Sequence, residues 1–339
     1  MEHPAEGSGA SVSVDEGLFA DINGVSQWLT IRGRDRANPV LLILSGPGAA
    51  FSRMAPLFAP WEADLTLVQW DQPGAGATFA RGGEAGTSPL NLERLVDDAA
   101  AVIAFARARL GVDKVAVLGM SGGSIVGLIL AHRRPDLVAA FVGTGQFVHW
   151  ARQEALSYVA VLDHAHAAGY AKGVAELEAL GPPPWPDAAS DAVHSKYAGA
   201  LTPAEQAAFT RAVAAAVNAP PAEARYIARG LPQHDARAQA MAAYTALRDD
   251  LKAFDARSLG LRFEVPILFV QGDRDLFSVT SEVEAYVTEI TAPRAGLATI
   301  EGGGHSCVFM TGAFLDLLRQ GVDPARRSKQ NFGKSARLE

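Results

Sequence analysis

A chain of 339 residues with 49% hydrophobic and 20% charged side chains carries enough apolar material for a large core, which excludes disorder over its bulk. Its formal charge of −7, with no Lys/Arg cluster ahead of the C-terminal tail, excludes the electrostatic footprint of a nucleic-acid binder. The single cysteine, Cys307, excludes an internal disulfide and a Cys-based metal cluster, and no stretch approaches the ~20 apolar residues of a membrane span.

The first residues, Met1 to Val14, are polar and rich in Gly and Ser, without the basic and apolar regions of a signal peptide. A disordered start over 1–14 and a cytoplasmic protein are therefore expected. Leu18 to Ile22 and Val25 to Ile31 flank Asn23-Gly24, whose residue types suit the two positive-φ positions of a type I′ turn, and so predict a hairpin at a sheet edge. Val40 to Leu44 and Leu65 to Trp70 are apolar runs of buried-strand length, the first ending in Ser45-Gly46-Pro47-Gly48 and the second in Asp71-Gln72-Pro73-Gly74. Leu92, Leu95, Val96, Ala99, Val102, Ile103, Ala106 and Leu110 recur at helical spacing and predict a helix that stops at Gly111.

Val115 to Leu118 then leads into Gly119-Met120-Ser121-Gly122-Gly123, a G-x-S-x-G run, and Ser124 to Ala131 continues as a small-residue and apolar helix. A serine on a sharp strand-to-helix turn needs small residues two before and two after it, and both are Gly. Leu137 to Val142 is the next strand, ending at Gly143-Thr144-Gly145. The alternation of strand and helix, which implies a mostly parallel sheet with helices on both faces, then stops. From Gln146 to Arg257 only Ala-rich helical stretches occur: Gln153 to Ala168, Ala171 to Leu180, Pro203 to Asn218, Ala222 to Ala228 and Ala236 to Ala256. Thr202-Pro203-Ala204-Glu205 is a capping box with Pro at the first helical position, and the Pro-rich Gly181 to Pro186 interrupts the series. This segment is an inserted helical lid. Val265 to Gln271, a helix from Ser281 to Thr291, a strand from Leu297 to Ile300 and a helix from Val308 to Leu318 resume the alternation, and a polar tail follows over 323–339. The expected organisation is a core of 15–145 and 258–322 interrupted by a helical domain of 146–257.

A serine hydroxyl is a weak nucleophile at neutral pH and needs a base, itself oriented by a carboxylate. Gly272-Asp273-Arg274-Asp275 follows one strand and Gly303-Gly304-His305 follows the last, so both loops fall at the carboxyl edge of the sheet with the elbow of Ser121. Of the two acids Asp275 is favoured. His132, His149, His164, His166, His194 and His234 lie on helical stretches or in the lid without metal-ligand spacing and are read as structural or solvent-facing, and Cys307 as a small buried residue. The oxyanion of an attacked carbonyl requires backbone N–H donors, expected from Gly122 and from the loop after Val40 to Leu44, at Gly46. Trp150, Tyr158, Trp185 and Tyr197 in the lid suggest an apolar pocket or helix packing.

Leu44-Ser45-Gly46-Pro47-Gly48 resembles the H-G-G-P-G loop of the proline iminopeptidase family of α/β-hydrolases, and Asp71-Gln72-Pro73-Gly74-Ala75-Gly76 resembles its D-Q-R-G-x-G. The elbow, the acidic turn and the Gly304-His305 loop match in the same order, so the resemblance covers roughly residues 17 to 320. It implies an eight-stranded, mostly parallel α/β-hydrolase sheet with an all-helical cap, a triad of Ser121, Asp275 and His305, an oxyanion hole of Gly46 and Gly122, and no cofactor or metal. Pro73 stands where the family has Arg, and the cap contains no Trp-Glu pair of the kind with which these peptidases hold a substrate's free amine; Glu154, Glu176 and Glu178 are the cap's candidates, each on a helix. The family's epoxide hydrolase and dehalogenase relatives attack through a carboxylate, against which Ser121 speaks. The function expected is cleavage of an ester or amide of a small molecule or short peptide through an acyl-serine. Esterase or acyltransferase action on the same triad, or ligand binding with little turnover, are the alternatives.

Overall fold

In a computed structural model the chain is described over residues 12–218, 232 and 234–322. The predicted hairpin forms from Val14–Ile22 (β1) and Val25–Gly33 (β2), with Asn23 at φ 53° and Gly24 at φ 82° in its turn. Val14 pairs with Gly33, so the sheet begins at the last residue of the segment read as a disordered start. The remaining strands are Val40–Leu44 (β3), Thr66–Asp71 (β4), Val115–Met120 (β5), Val138–Thr144 (β6), Ile267–Gly272 (β7) and Ala295–Ile300 (β8). They form one sheet in the order β1-β2-β4-β3-β5-β6-β7-β8. Only β2 runs antiparallel to its neighbours, and β3 to β8 are mutually parallel.

The parallel strands read as unbroken apolar runs because both faces are covered. Along β3 the side chains alternate between two cores: Leu42 and Leu44 join Val117, Phe141 and Ile267 on one face, while Leu41 and Ile43 join Leu118, Val142 and Leu268 on the other. The first face is packed by Leu92–Leu110 (α3), Gly122–Arg133 (α4) and Thr280–Glu289 (α10). The second is packed by Ala55–Phe58 (α1) with Trp61 and by Thr311–Val322 (α11). Helix α3 has the predicted bounds because Asn91 accepts from Arg94 N at its start and Gly111 takes a left-handed φ of 73° at its end. Gly76–Thr87 (α2) has no counterpart among the predicted elements. Glycines at 76, 82, 83 and 86 hide its periodicity, and Gly83 kinks it with φ 54° and ψ −151°.

Between β6 and β7 the described residues are helical: Trp150–Ala167 (α5), Ala171–Leu180 (α6), Ala188–Ala198 (α7), Pro203–Asn218 (α8) and Ala236–Lys252 (α9). Helices α6 and α8 match their predicted bounds. α5 starts three residues early because His149 supplies the N-cap, and α9 ends at Lys252 because Phe254 and Asp255 turn back to bond Trp150 N and to bridge His149. α7 has no predicted counterpart: it begins directly after the Pro-rich break, with Asp187 accepting from Ser190 N as its cap. The helix expected over Ala222 to Ala228 and the tail of 323–339 lie outside the described residues. Among those residues no helix is long and apolar enough to cross a membrane.

Candidate active site

Strand β5 hands directly to α4 at Ser121, which sits at φ 53° and ψ −127°, a conformation that L-residues rarely adopt. The surroundings enforce it. A Cβ at Gly119 would stand 2.7 Å from Gly123 O, and one at Gly123 would stand 2.3 Å from Leu44 O, so both flanking glycines are required by close backbone packing. Ser121 N is anchored by Thr144 O on the neighbouring β6 at 3.0 Å. The side chain is thereby aimed off the carboxyl edge of the sheet.

Two further loops at that edge meet it. The Nε2 atom of His305 lies 2.9 Å from Ser121 Oγ, and its Nδ1 lies 3.2 Å and 3.3 Å from the two carboxylate oxygens of Asp275. Asp275 is wholly buried, and Phe277 N and Ser278 N both donate to its Oδ1, at 2.8 Å and 2.9 Å, while the Ser278 hydroxyl donates to Oδ2. Burial pushes a carboxyl's pKa up. Here it is outweighed by the charge and hydrogen bond of His305 and by the Ser278 donors, which hold Asp275 below its ordinary value and keep it ionised. Asp273, the other acid of this turn, is exposed. His305 owes its placement partly to Gly145, at φ 53° in the loop after β6: a Cβ there would stand 2.8 Å from His305 Cε1. Phe277 packs on the imidazole with centroids 4.8 Å apart. Sequence reasoning assigned no role to Gly145 or Ser278, although the Gly143-Thr144-Gly145 stop after β6 marks a place where backbone approaches something closely.

The loop after β3 lies against the elbow, for a Cβ at Gly46 would be 3.9 Å from both Gly122 N and Ser121 Cβ. As the first residue of α4, Gly122 has an N–H with no intrahelical acceptor. The position of Gly46 is held indirectly by the Asp71 segment. Gln72 Nε2 donates to Ser45 O at 3.2 Å, and the buried Asp71 carboxylate accepts from Ser52 N at 3.1 Å and Ala77 N at 2.9 Å, tying the loops after β3 and β4 together. Gly76 is needed there because a Cβ would fall 2.2 Å from Asp71 Oδ2.

The helical segment between β6 and β7 touches the loops of Asp275 and His305 and those after β3 and β4. Gln153 of α5 donates to Ser278 O at 2.8 Å, and the Ser157 hydroxyl donates to Leu276 O, so α5 holds the loop of Asp275. Gln239 of α9 accepts from Gly76 N at 3.2 Å, and the α9 backbone packs on Gly48, whose Cβ would stand 2.6 Å from Ala240 Cα. Glu205 of α8 accepts from Gly304 N at 2.8 Å. Behind Phe277 lies a polar cluster that spans the segment. Asp191 of α7 binds Arg248, Lys252 (2.9 Å) and Tyr244 (3.0 Å), and Lys252 also binds Glu154 at 2.7 Å. His194 bonds the Ser157 hydroxyl at 2.9 Å and is lowered by burial to about 4, so the imidazole is neutral at pH 7. The aromatic residues of this segment pack within it or on the core: Trp150 stacks on Phe147 and Trp185 lies tilted against His194, while Tyr158 and Tyr197 donate to Leu177 O and Glu176. Cys307 is buried beside Thr144 and pushed up to about 12 by that burial, which leaves it a thiol.

The family model described as serine aminopeptidase, S33, matches residues 35–310. The probable aminopeptidase YbaC of Bacillus subtilis (strain 168) is 26% identical over 294 residues, covering 84% of this chain and 89% of that protein. Among solved structures, a proline iminopeptidase-related protein of Thermus thermophilus superposes with a TM-score of 0.59 at 18% identity, covering 91% of this chain and 96% of its own. The 2-hydroxy-6-oxo-6-phenylhexa-2,4-dienoate hydrolase of a Rhodococcus species does so with a TM-score of 0.55 at 16% identity, covering 91% and 98%. At such identities the superpositions establish the α/β-hydrolase fold and leave the substrate open.

Proposed function

Because the chain belongs to the S33 serine aminopeptidase family of α/β-hydrolases, we propose that Ser121, His305 and Asp275 are its catalytic triad and that it cleaves an ester or amide of a small substrate through an acyl-serine. The observation that carries this reading is the unbroken chain of contacts from Ser121 Oγ through His305 to a buried, ionised Asp275. In the proposed cycle His305 Nε2 takes the Ser121 proton as Oγ attacks the carbonyl carbon. The carbonyl electron pair moves to oxygen, where the N–H groups of Gly122 and Gly46 receive the charge. His305 then returns the proton to the departing amine or alcohol. Water, deprotonated by the same imidazole, attacks the acyl-serine and releases the acid, and Ser121 regains its proton. Asp275 remains charged throughout and stabilises the transient imidazolium. No metal or cofactor enters this cycle, and a cytoplasmic location fits it.

Release of an N-terminal residue from a small peptide or amide is the version that the family favours, with the helical segment acting as a cap. One observation favours the esterase version instead. Of the cap glutamates singled out from the sequence, Glu154 is paired with Lys252 at 2.7 Å and Glu176 with Lys196 at 2.7 Å, and Glu178 lies on the exposed surface. A panel of chromogenic substrates separates the two: prolyl and alanyl arylamides with free amines, their N-blocked counterparts, and short-chain aryl esters, each run with wild type and Ser121→Ala. Cleavage confined to free-amine amides supports the peptidase, and cleavage of esters alone supports the esterase. Turnover that survives Ser121→Ala rejects the triad.

A further inference from the structure

The stretch Gly302-Gly303-Gly304 delivers His305 to Ser121, and three successive glycines are the least self-constrained backbone a chain can use. Local turn bonds, Gly303 N to Ile300 O at 3.1 Å and Cys307 N to Gly304 O at 3.3 Å, order it in part, and its neighbours supply the rest. On one side it lies against the loop of Asp275: Arg274 N donates to Gly303 O at 2.8 Å, and a Cβ at Gly272 would stand 2.4 Å from Gly304 O. On the other side stands the start of α8. There Thr202 and Glu205 form a capping box, Glu205 N donating to Thr202 Oγ1 at 3.2 Å and Thr202 N donating to Glu205 Oε2 at 2.8 Å.

A capping box uses one carboxylate oxygen and leaves the second to solvent. In this chain the second is not left to solvent. Glu205 is fully buried, and its Oε1 accepts from Gly304 N, the peptide next to His305, at 2.8 Å. The Thr202 hydroxyl donates in turn to Gly302 O at 2.7 Å, so the box grips both ends of the glycine stretch. Gly304 is fitted to this contact, since a Cβ there would stand 3.0 Å from Glu205 Oε2 and 3.0 Å from Thr202 Cγ2. A side-chain oxygen that accepts from a buried N–H at this distance is a directional tie whose loss leaves the N–H unsatisfied.

We propose that Glu205 is a positioning residue for His305, through which helix α8 of the cap sets the reactivity of the triad. The inference rests on the triad reading above. It makes the cap a participant in the chemistry of the core as well as a cover, because any displacement of α8 moves the peptide that carries the base.

The test uses the full chain as wild type, Glu205→Gln, Glu205→Ala and Ser121→Ala. Two quantities are read: kcat and KM on whichever substrate the panel yields, and the rate at which a fluorophosphonate labels Ser121, which needs the base but no substrate pocket. Thermal melts count the folded fraction, and the near-isosteric Glu205→Gln, which keeps one acceptor, answers the case in which Glu205→Ala does not fold. The expected result is a fall in kcat and in labelling rate of about 100-fold for Glu205→Ala and roughly tenfold for Glu205→Gln, with KM within about twofold of wild type. Labelling at the wild-type rate per folded molecule in either variant would reduce Glu205 to a helix cap and overturn the proposal. Labelling that persists in Ser121→Ala would instead overturn the triad reading, and this inference with it.

Discussion

The carboxyl edge of the sheet and the helical segment above it solve the problem of buried polarity in opposite ways. At the sheet edge the residues of the proposed triad stand on short loops directly after strands, each held by backbone N–H groups or by a glycine that admits a close neighbour: Ser121 by Gly119 and Gly123, His305 by Gly145, Asp275 by the N–H groups of Phe277 and Ser278. In the helical segment, side chains from three helices neutralise one another: Glu154, Asp191, Arg248 and Lys252, with Tyr244 and His194 at the margin. Backbone geometry and close glycine packing fix most of the first region, with side chains of α5 and α8 tying its loops from a distance, and long-range charge pairing fixes the second. Chemistry built in the first way depends on few distant side chains, Glu205 among them, whereas a cluster built in the second fails as a unit when one member is removed.

The comparison can be broken from either side. The largest effect belongs to the sheet edge: Ser121→Ala is expected to lower kcat by roughly 10⁴-fold or more while leaving the melting temperature near that of wild type, read by steady-state kinetics and calorimetry. In the helical segment the signs reverse. Asp191→Ala leaves Arg248 with only the exposed Asp249 carboxylate at 3.8 Å and Lys252 with only Glu154, so urea unfolding should show a loss of about 3 kcal/mol. Per folded molecule, Ser121 should keep its reactivity.

A smaller effect comes from His194. Its folded value of about 4 lies below the ordinary 6.5, so the unfolded chain binds more protons between these values. Stability contributed by the neutral imidazole is complete above pH 6.5 and is lost as the pH falls toward 4. Between pH 7 and pH 5 this amounts to about 2 kcal/mol. His194→Gln should remove that component of the pH dependence, and an unchanged slope of unfolding free energy between pH 5 and 7 would contradict it. The smallest effect tests the glycine principle at the sheet edge. Gly145→Ala should displace the His305 ring and reduce kcat roughly tenfold, with a stability loss of about 1 kcal/mol from the positive φ.

The same contrast decides what the sequence made legible. The elbow, the acidic turn and the His305 loop could be read because each is a short local string whose glycines and position after a strand follow from the geometry it must adopt. α3 could be read to its end residues because a sustained apolar period runs into Gly111, and the Asn91 cap of the structure agrees with that start. α2 was obscured by its own glycines and α7 by the prolines before it. Missing α7 meant missing Asp191 and the packing of His194, whose polar partners lie 37 to 61 residues away along the chain and which no local pattern connects. Glu205 was legible as half of a capping box and illegible as a partner of Gly304, 99 residues away. Local rules thus recover the loops that carry the proposed triad and fall silent on the segment that surrounds them.

The central claim is that Ser121 is the nucleophile, oriented by His305 and Asp275. Its most direct measurement is peptide mapping by mass spectrometry after reaction with a fluorophosphonate, comparing wild type, Ser121→Ala and His305→Ala. A single adduct per chain on Ser121, absent in Ser121→Ala and formed far more slowly in His305→Ala, is the expected result. An adduct on another residue, or equal labelling of Ser121 without His305, would contradict the account.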